Sequence, residues 1–377
     1  MITLFRILIF FSLFFTQLTL ASEFNFGTGI AAKSQLAKTT TINAMYQYED
    51  VIYGVGEHGV ILYSDSWGMN WTQADEVPFM STLTDINCVS DTKCWAVGHD
   101  ATILYSSDGG RKWIKQFEDL DFDAPLLSIF MHDYLNGIAV GAFSYALRTK
   151  DGGENWTRFD LSRDEYEPHL NFIYGKRNQV NGEDDENIYV VAEIGQYYLS
   201  SDKGQTWNTV DTGYFGSLWS GIRANNSESL LLGMSGKMVK VAQRKVDNID
   251  SLMSADSFVT NKFPLYLNDS WQEFEIETLF IGTKNSLTNI KYVSPSLYVL
   301  SGNGGIVSIV NLDPSTRTIE TCVRADRLSN TSVIAIDEDE YLLSGEKGFR
   351  VHSMAECKEN FEDKSKNSKD VWMLSTF

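Results

Sequence analysis

A single unit, repeated along the 377-residue chain, constrains its fold more than any other feature. In residues 95–113 a short apolar run ends in glycine. A turn of two or three residues follows, then an alternating run, a polar Gly-rich turn and a tryptophan. The same order starts at Gly56 and ends at Trp71. It recurs from Gly141 to Trp156 and from Ala192 to Trp207, with looser copies from Gly233, Gly302 and Gly345. The spacing is roughly 42 residues, a period typical of blade repeats. It stretches where polar insertions enter near 178–187 and 244–269, and 247–258 reads as a short helix. Roughly 42 residues with two-residue alternation hold four short strands and their turns, and leave no room for a crossover helix. Seven such units predict an all-β chain, a seven-bladed β-propeller of four-stranded antiparallel blades, filling 22–377 as a single domain. In the second blade the pattern places strands near 83–89, 94–98, 102–106 and 112–117. Innermost strands are expected near Ile42, Leu83, Leu126, Leu170, Leu218, Leu287 and Ser332, with a closing strand from 24–38 or 371–377.

The turn before each tryptophan follows Ser/Thr-x-Asp-x-Gly-x-x-Trp. Complete copies are Ser106/Asp108/Gly110/Trp113, Thr149/Asp151/Gly153/Trp156 and Ser200/Asp202/Gly204/Trp207; the first blade has Ser64/Ser66/Gly68/Trp71. This is the Asp-box. A short carboxylate accepts hydrogen bonds from turn N–H groups, glycine supplies φ > 0, and tryptophan seals the blade edge. These aspartates are therefore read as structural.

Residues 1–21 carry one cation, Arg6, an apolar run from Ile7 to Phe15, and a Thr-Leu-Ala end before Ser22. That is the form of a cleaved secretory leader, which implies a periplasmic or secreted protein. Four cysteines fit an oxidising compartment. Cys88 and Cys94 flank turn formers and are placed to face each other across a hairpin, leaving Cys322 and Cys357 as a second pair; the alternatives are four free thiols or a metal site, and the spacing matches no zinc pattern. A formal net charge of −19 argues against nucleic acid as a partner. No cofactor or metal is expected. His58 and His99 occupy equivalent places in adjacent blades beside Glu57 and Asp100, and duplication accounts for that pairing better than a metal site does.

The joined pattern, seen at 54–71, 96–113 and 139–156, resembles the lumenal photosystem II assembly factor family and its bacterial relatives. The resemblance covers most of 40–350, strongly as far as Trp207. It implies a seven-bladed propeller without enzymatic activity that holds a membrane-protein partner by its exposed loops, in some relatives beside an export system. The photosynthetic members carry an arginine-rich patch that this acidic chain lacks, which argues against a photosystem partner here.

Blade topology puts the second-to-third-strand turns on one face, together with the links between blades. That face gathers Glu57 and His58, His99 and Asp100, Phe143, Glu193, Met234, Asn303 and Glu346. Its links add Asp119, Asp121, Phe122 and Asp123, then Tyr166, then Tyr214, Phe215 and Trp219. Aromatic anchors within a charged rim suit a protein interface, and the acidic balance favours a basic segment of a membrane-protein complex. Rival readings are a carbohydrate- or peptide-binding propeller and a sialidase-type glycosidase. The latter needs an arginine cluster, and the arginines here are scattered.

Overall fold

Each repeat folds as an antiparallel meander because its second strand is apolar on both faces and has to be covered on both. Cys94–Gly98, Gly137–Gly141 and Ile188–Ala192 are buried at every position. The computed structural model describes residues 29–122, 124–161, 166–175, 186–246, 262–267 and 270–356. They form seven sheets whose strands neighbour one another almost wholly in chain order. The second blade comprises Leu83–Cys88, Cys94–Gly98, Ile103–Ser106 and Ile114–Phe117, close to the expected spans. The other innermost strands are Ile42–Tyr48, Leu126–Met131, Leu170–Gly175, Leu218–Asn225, Leu287–Ser294 and Asn330–Ala335. Six of the seven start at the residue the repeat pattern named; the seventh starts two residues before Ser332.

Two blades depart from four strands. In blade 5 the third strand, Lys237–Val246, pairs along Ser270–Phe280, and Lys262–Leu267 adds a fifth strand outside it. The described ends of the 244–269 insertion are therefore strand; 247–261, with the expected helix, lies outside the described residues, as does 178–185. Blade 7 has three strands among the described residues, ending with Gly348–Ser353. Residues 29–38 do not supply its fourth. The Ala31 and Ser34 N–H groups donate to Val77 O and Gln73 Oε1, and Lys33 pairs with Asp75, so this stretch lies on the outer edge of blade 1. The alternative, 371–377, lies outside the described residues, as does the leader at 1–21.

Cys88 and Cys94 sit directly opposite each other in the blade 2 hairpin and form a disulfide, as the spacing predicts. Cys322 is also disulfide-bonded and buried; Cys357, its expected partner, lies outside the described residues.

The Asp-box turns behave as local chemistry requires. Ser106 Oγ donates to Asp108 Oδ1 at 2.9 Å, and the same carboxylate oxygen accepts the Arg111 and Lys112 N–H groups at 3.1 and 2.9 Å. Thr149 and Asp151 repeat this, as do Ser200 and Asp202. Hydrogen bonds from the Asn155 side chain and N–H lower the Asp151 carboxyl to about 2. In blade 1, Ser66 Oγ takes the role of the missing carboxylate and accepts the Asn70 N–H at 3.0 Å. The glycines are doubly constrained. Gly110 has φ +80, and an added Cβ would lie 2.9 Å from the Tyr53 ring of the preceding blade. Each Asp-box tryptophan joins the core at the junction with the blade before it: Trp113 with Tyr53, Trp156 with Trp95, Trp207 with Phe130 and Ile138, and Trp71 with Leu342.

Seven hydrophobic clusters fill the seven blade junctions, and the one holding Ile42, Leu62, Ile334 and Leu342 joins the last blade to the first. Trp71 stacks on Phe349 across that seam at 3.6 Å. A second device closes the ring at its axis. All seven innermost strands carry a β-bulge at their second residue: Asn43, Thr84, Leu127, Asn171, Trp219, Thr288 and Thr331. A bulged residue leaves the ladder and its side chain is re-aimed. In five blades that side chain donates to the carbonyl of the first innermost residue of the next blade: Asn43 to Leu83, Thr84 to Leu126, Asn171 to Leu218, Thr288 to Asn330, and Thr331 to Ile42. The last of these, at 2.5 Å, bridges 289 residues of sequence. Thr331→Val keeps the shape and removes the donor. It is expected to lower the unfolding free energy in urea by about 1–2 kcal/mol, the usual loss when a part-buried carbonyl loses its partner. An unchanged urea midpoint would show that the seam is held by its apolar core alone.

Candidate functional site: the loop face and the tunnel mouth

The second-to-third-strand turns and the inter-blade links share one face in every blade, for a reason visible in the backbone. The N–H opening each turn donates to the carbonyl just before the innermost strand: Glu57 to Thr41, His99 to Thr82, Ala142 to Pro125, Glu193 to His169, Met234 to Ser217, Asn303 to Ser286, and Glu346 to Ser329. The Asp-box turns bond instead to first-to-second-strand turns, Gly109 to Thr92 and Gly152 to Leu135, and so mark the opposite face.

Around blades 2 to 5 the loop face is continuous. The Asp119 N–H donates to Asp100 O, and the Ser144 N–H to Pro168 O. Phe143 meets His169 edge-on at 4.8 Å. The Tyr166 hydroxyl lies 3.4 Å from Glu193 Oε2, which also accepts the His169 N–H. The Gly195 N–H donates to Gly216 O, and the Tyr214 hydroxyl to Met234 O.

The structure separates the residues proposed for this face. His58, His99, Asp121, Tyr166, Phe215, Asn303 and Glu346 are exposed, and Glu57, Asp100 and Glu193 are half-buried. Glu57, Asp100, Asp121 and Glu167 make no ion pair among the described residues. Asp119 is engaged: Oδ2 accepts the Tyr145 hydroxyl at 2.7 Å and Oδ1 the Phe122 N–H, and the Tyr145 hydrogen bond above all holds its carboxyl below the ordinary range. Phe122 is stacked on Tyr145 at 4.4 Å beneath the Arg158 guanidinium, so it is packing rather than a free anchor. Tyr214 is likewise packed against Gly233. Trp219 belongs to an innermost strand and lines the tunnel mouth. Asp123 lies outside the described residues. No contact joins His58 to His99, and no metal-holding group of three or more His, Cys, Asp or Glu residues occurs among the described residues.

The exposed apolar side chains of this face are Leu120, Phe143, Tyr166, Ile194, Phe215, Met234 and Phe280; Tyr166 and Phe215 are among the anchors expected from sequence, and the others are not singled out there as anchors. Phe215 is 87% exposed. The chain segments were visible, but which of their apolar residues point outward depends on turn geometry.

The face opens onto an axial cavity of about 480 Å³ lined by the innermost strands, including all seven bulge residues. Deeper in it, Asp85 accepts the Ser128 hydroxyl at 2.6 Å and the Ile86 and Ile129 N–H groups. Burial outweighs these bonds and raises its carboxyl to about 6. Burial also lowers the Lys291 ammonium, opposed by the Asp85 charge. Through Ser128 and Ile129, Asp85 joins blade 2 to blade 3.

The fold and face define a class: an Asp-box seven-bladed β-propeller with one loop-built surface that is both acidic and apolar. Within that class, the family model described as photosynthesis system II assembly factor YCF48 matches residues 68–246. The photosystem II stability/assembly factor HCF136 of Arabidopsis thaliana is 29% identical over 131 residues, which cover 33% of this chain and 30% of that protein. The photosystem II assembly protein Ycf48 of Synechococcus sp. (strain JA-2-3B'a(2-13)) is 28% identical over 169 residues, covering 44% and 48%. The chain thus spans between about a third and a half of the curated relatives it matches. Among solved structures, YCF48 bound to D1 peptide superposes with a TM-score of 0.58 at 17% identity, over 85% of this chain and 93% of that one. The WD40 propeller domain of Doa1 gives the same TM-score at 10% identity, over 86% and 95%, so these likenesses establish the fold alone. Residues 68–246 are thus similar in sequence to the photosystem II assembly factors, and the described ring shares the seven-bladed fold of the solved structures.

The raised Asp85 carboxyl has a definite sign. Its folded value of about 6 lies above the 3.8 of an unburied aspartate, so its contribution to stability is fully present below about pH 3.8 and is lost as pH rises through about 6. Asp85→Asn removes that titration. The unfolding free energy of wild type minus variant is therefore expected to fall between about pH 4 and pH 6 and to be flat above. A difference independent of pH would show that Asp85 stays ionised in the folded ring.

Proposed function

We propose that this propeller is a non-catalytic docking scaffold that helps assemble a membrane-protein complex. In this reading it is exported by the 1–21 leader and works in a periplasmic or secreted setting. The match of residues 68–246 to the assembly-factor family carries the reading. A related fold in complex with a peptide shows that such a propeller can hold a polypeptide segment. Rigid blades presenting loops on one face suit that task, since binding groups concentrate on loops held by a scaffold. The carboxylates Glu57, Asp100, Asp121 and Glu167, without an ion pair among the described residues, favour a segment bearing lysine or arginine.

The sialidase reading fares worse. That chemistry needs several arginines converging on a substrate carboxylate. Among the described residues the cavity lining holds one, Arg223, which contacts the Tyr189 ring at 4.9 Å and Ser229.

Crosslinking the full chain in its native membranes, followed by mass spectrometry, tests the role. The expected product joins this chain to an integral membrane protein, in amounts that fall as salt rises from about 50 to about 500 mM, because exposed charges are screened. Changing Glu57 and Glu167 to Gln and Asp121 to Asn is expected to weaken capture by roughly tenfold at low salt and to flatten the salt dependence, at about 0.2–1 kcal/mol per charge. Capture confined to soluble proteins or glycans, or turnover of a fluorogenic sialoside, would overturn the proposal.

A further inference from the structure

We infer that the loop face over blades 3 to 5, together with the adjoining tunnel mouth, is a docking groove for an extended partner segment combining large apolar side chains with lysine or arginine. The inference rests on the scaffold reading and specifies where the segment lies and what it must contain.

Four independent features converge on these blades. The first is backbone strain. At the equivalent position in each second-to-third-strand turn the backbone is left-handed: His58, Asp100, Phe143, Ile194, Ser235, Gly304 and Lys347 have φ between 54 and 65. Glycine and aspartate tolerate this conformation; a β-branched residue there is an outlier. Yet blade 4 places Ile194 in that slot, 44% exposed, and blade 3 places Phe143, 48% exposed. Side chains that are strained and also turned to solvent gain little packing in return. Observed strain of this kind marks functional positions.

The second is a gap in the axial stitching. Five bulge residues donate to the next blade, whereas blades 3 and 5 carry Leu127 and Trp219 instead. Both line the cavity, and Trp219 is 39% exposed at its mouth. The two blades that give up the hydrogen bond flank the blade holding Ile194.

The third is contiguity. Phe143, Tyr166, Ile194, Phe215 and Met234 lie on turns and links joined by the hydrogen bonds and ring contact described above, so the apolar tips form one arc rather than scattered exposures. Phe280, 51% exposed, extends the arc beside Lys237 on the blade 5 edge.

The fourth is charge. Asp100, Asp121, Glu167 and Glu193 border the arc, which repels an anionic lipid surface and attracts a basic segment. A narrow curved arc ending at a cavity mouth suits an extended chain laying alternate side chains down, with one seated beside Trp219.

Fluorescence anisotropy on the full chain tests this with three labelled peptides of equal length, laid out for an extended mode of recognition. One alternates Arg with Leu and Phe; one has Glu for Arg; one has Ser for Leu and Phe. Binding is expected only for the first. Ile194→Gly is the decisive variant. It removes both the apolar tip and the strain, and Gly304 shows that glycine fits this turn. It is expected to raise Tm while weakening the peptide by about fivefold or more, a loss typical of a buried apolar contact. Phe215→Ser is expected to weaken binding with Tm unchanged, and Met69→Ser, exposed on the opposite face, to leave binding as it was. Equal binding of all three peptides, wild-type affinity in Ile194→Gly and Phe215→Ser, or tighter binding to phosphatidylglycerol vesicles than to the first peptide would each overturn the inference. Wild-type crosslinking to a membrane protein that persists in the Ile194→Gly/Phe215→Ser double variant would remove the groove and leave the scaffold role intact. Loss of all membrane-protein capture by wild type would instead remove the role.

Discussion

The ring depends on the bulge at the second residue of each innermost strand. Antiparallel pairing builds a blade but does nothing to join blades, because ladder hydrogen bonds run within a sheet. The bulge releases one side chain per blade from that pattern and turns it sideways. Asn43, Thr84, Asn171, Thr288 and Thr331 then satisfy a carbonyl in the next blade. Further out, apolar clusters do the same work by burial, each completed by residues of two blades. Closure therefore has a polar inner circle and an apolar outer one, and the seam between blade 7 and blade 1 uses both. It has Thr331 bonded to Ile42 on the inside, and Trp71 stacked on Phe349 on the outside.

The sequence made the blades legible because the signals are local. Alternation, the glycine ending the second strand and the Asp-box turn are each set by neighbours a few residues away. The starts of six innermost strands and the Cys88–Cys94 pairing across a hairpin follow from them. The inter-blade devices were not legible. An asparagine or threonine in a strand carries no mark that it reaches a carbonyl about 40 residues on. The loop face was found by topology, but its members were not sorted. Phe122 and Tyr214 look like anchors in sequence and turn out to be packed, because Tyr145 and Gly233 stand beside them. Blade topology puts Ile194 on the loop face beside Glu193, but only its φ of 55 sets it apart. The seventh blade shows a further limit, since 29–38 leave for the outer edge of blade 1 through contacts with Gln73, Asp75 and Val77 that no local pattern encodes.

The arrangement also explains how a strained turn persists. A left-handed isoleucine costs of order 1–3 kcal/mol and survives only where its surroundings fix the chain on both sides. Here they do. The Glu193 N–H is held by His169 O, the Gly195 N–H by Gly216 O, and the Thr212 hydroxyl by Gly195 O at 2.7 Å. An added Cβ at Gly195 would lie 1.8 Å from Tyr214 O, so the residue after Ile194 has no freedom to relax the turn. The propeller thus supplies rigidity in excess at its turns, because each is pinned to the link between blades. That excess lets a residue other than glycine stand at the tip without loosening the turn. The same holds at the axis, where five stitches of seven remain when Leu127 and Trp219 replace a donor. Closure is redundant enough that two blades can give up a hydrogen bond, and the two turns that place a large apolar side chain in the left-handed slot, Phe143 and Ile194, fall on the same blades 3 to 5. Blades 6 and 7 show the contrast. There the same left-handed slot holds no apolar side chain, only Gly304 and Lys347, the axial position holds Thr288 and Thr331, and both stitches are made.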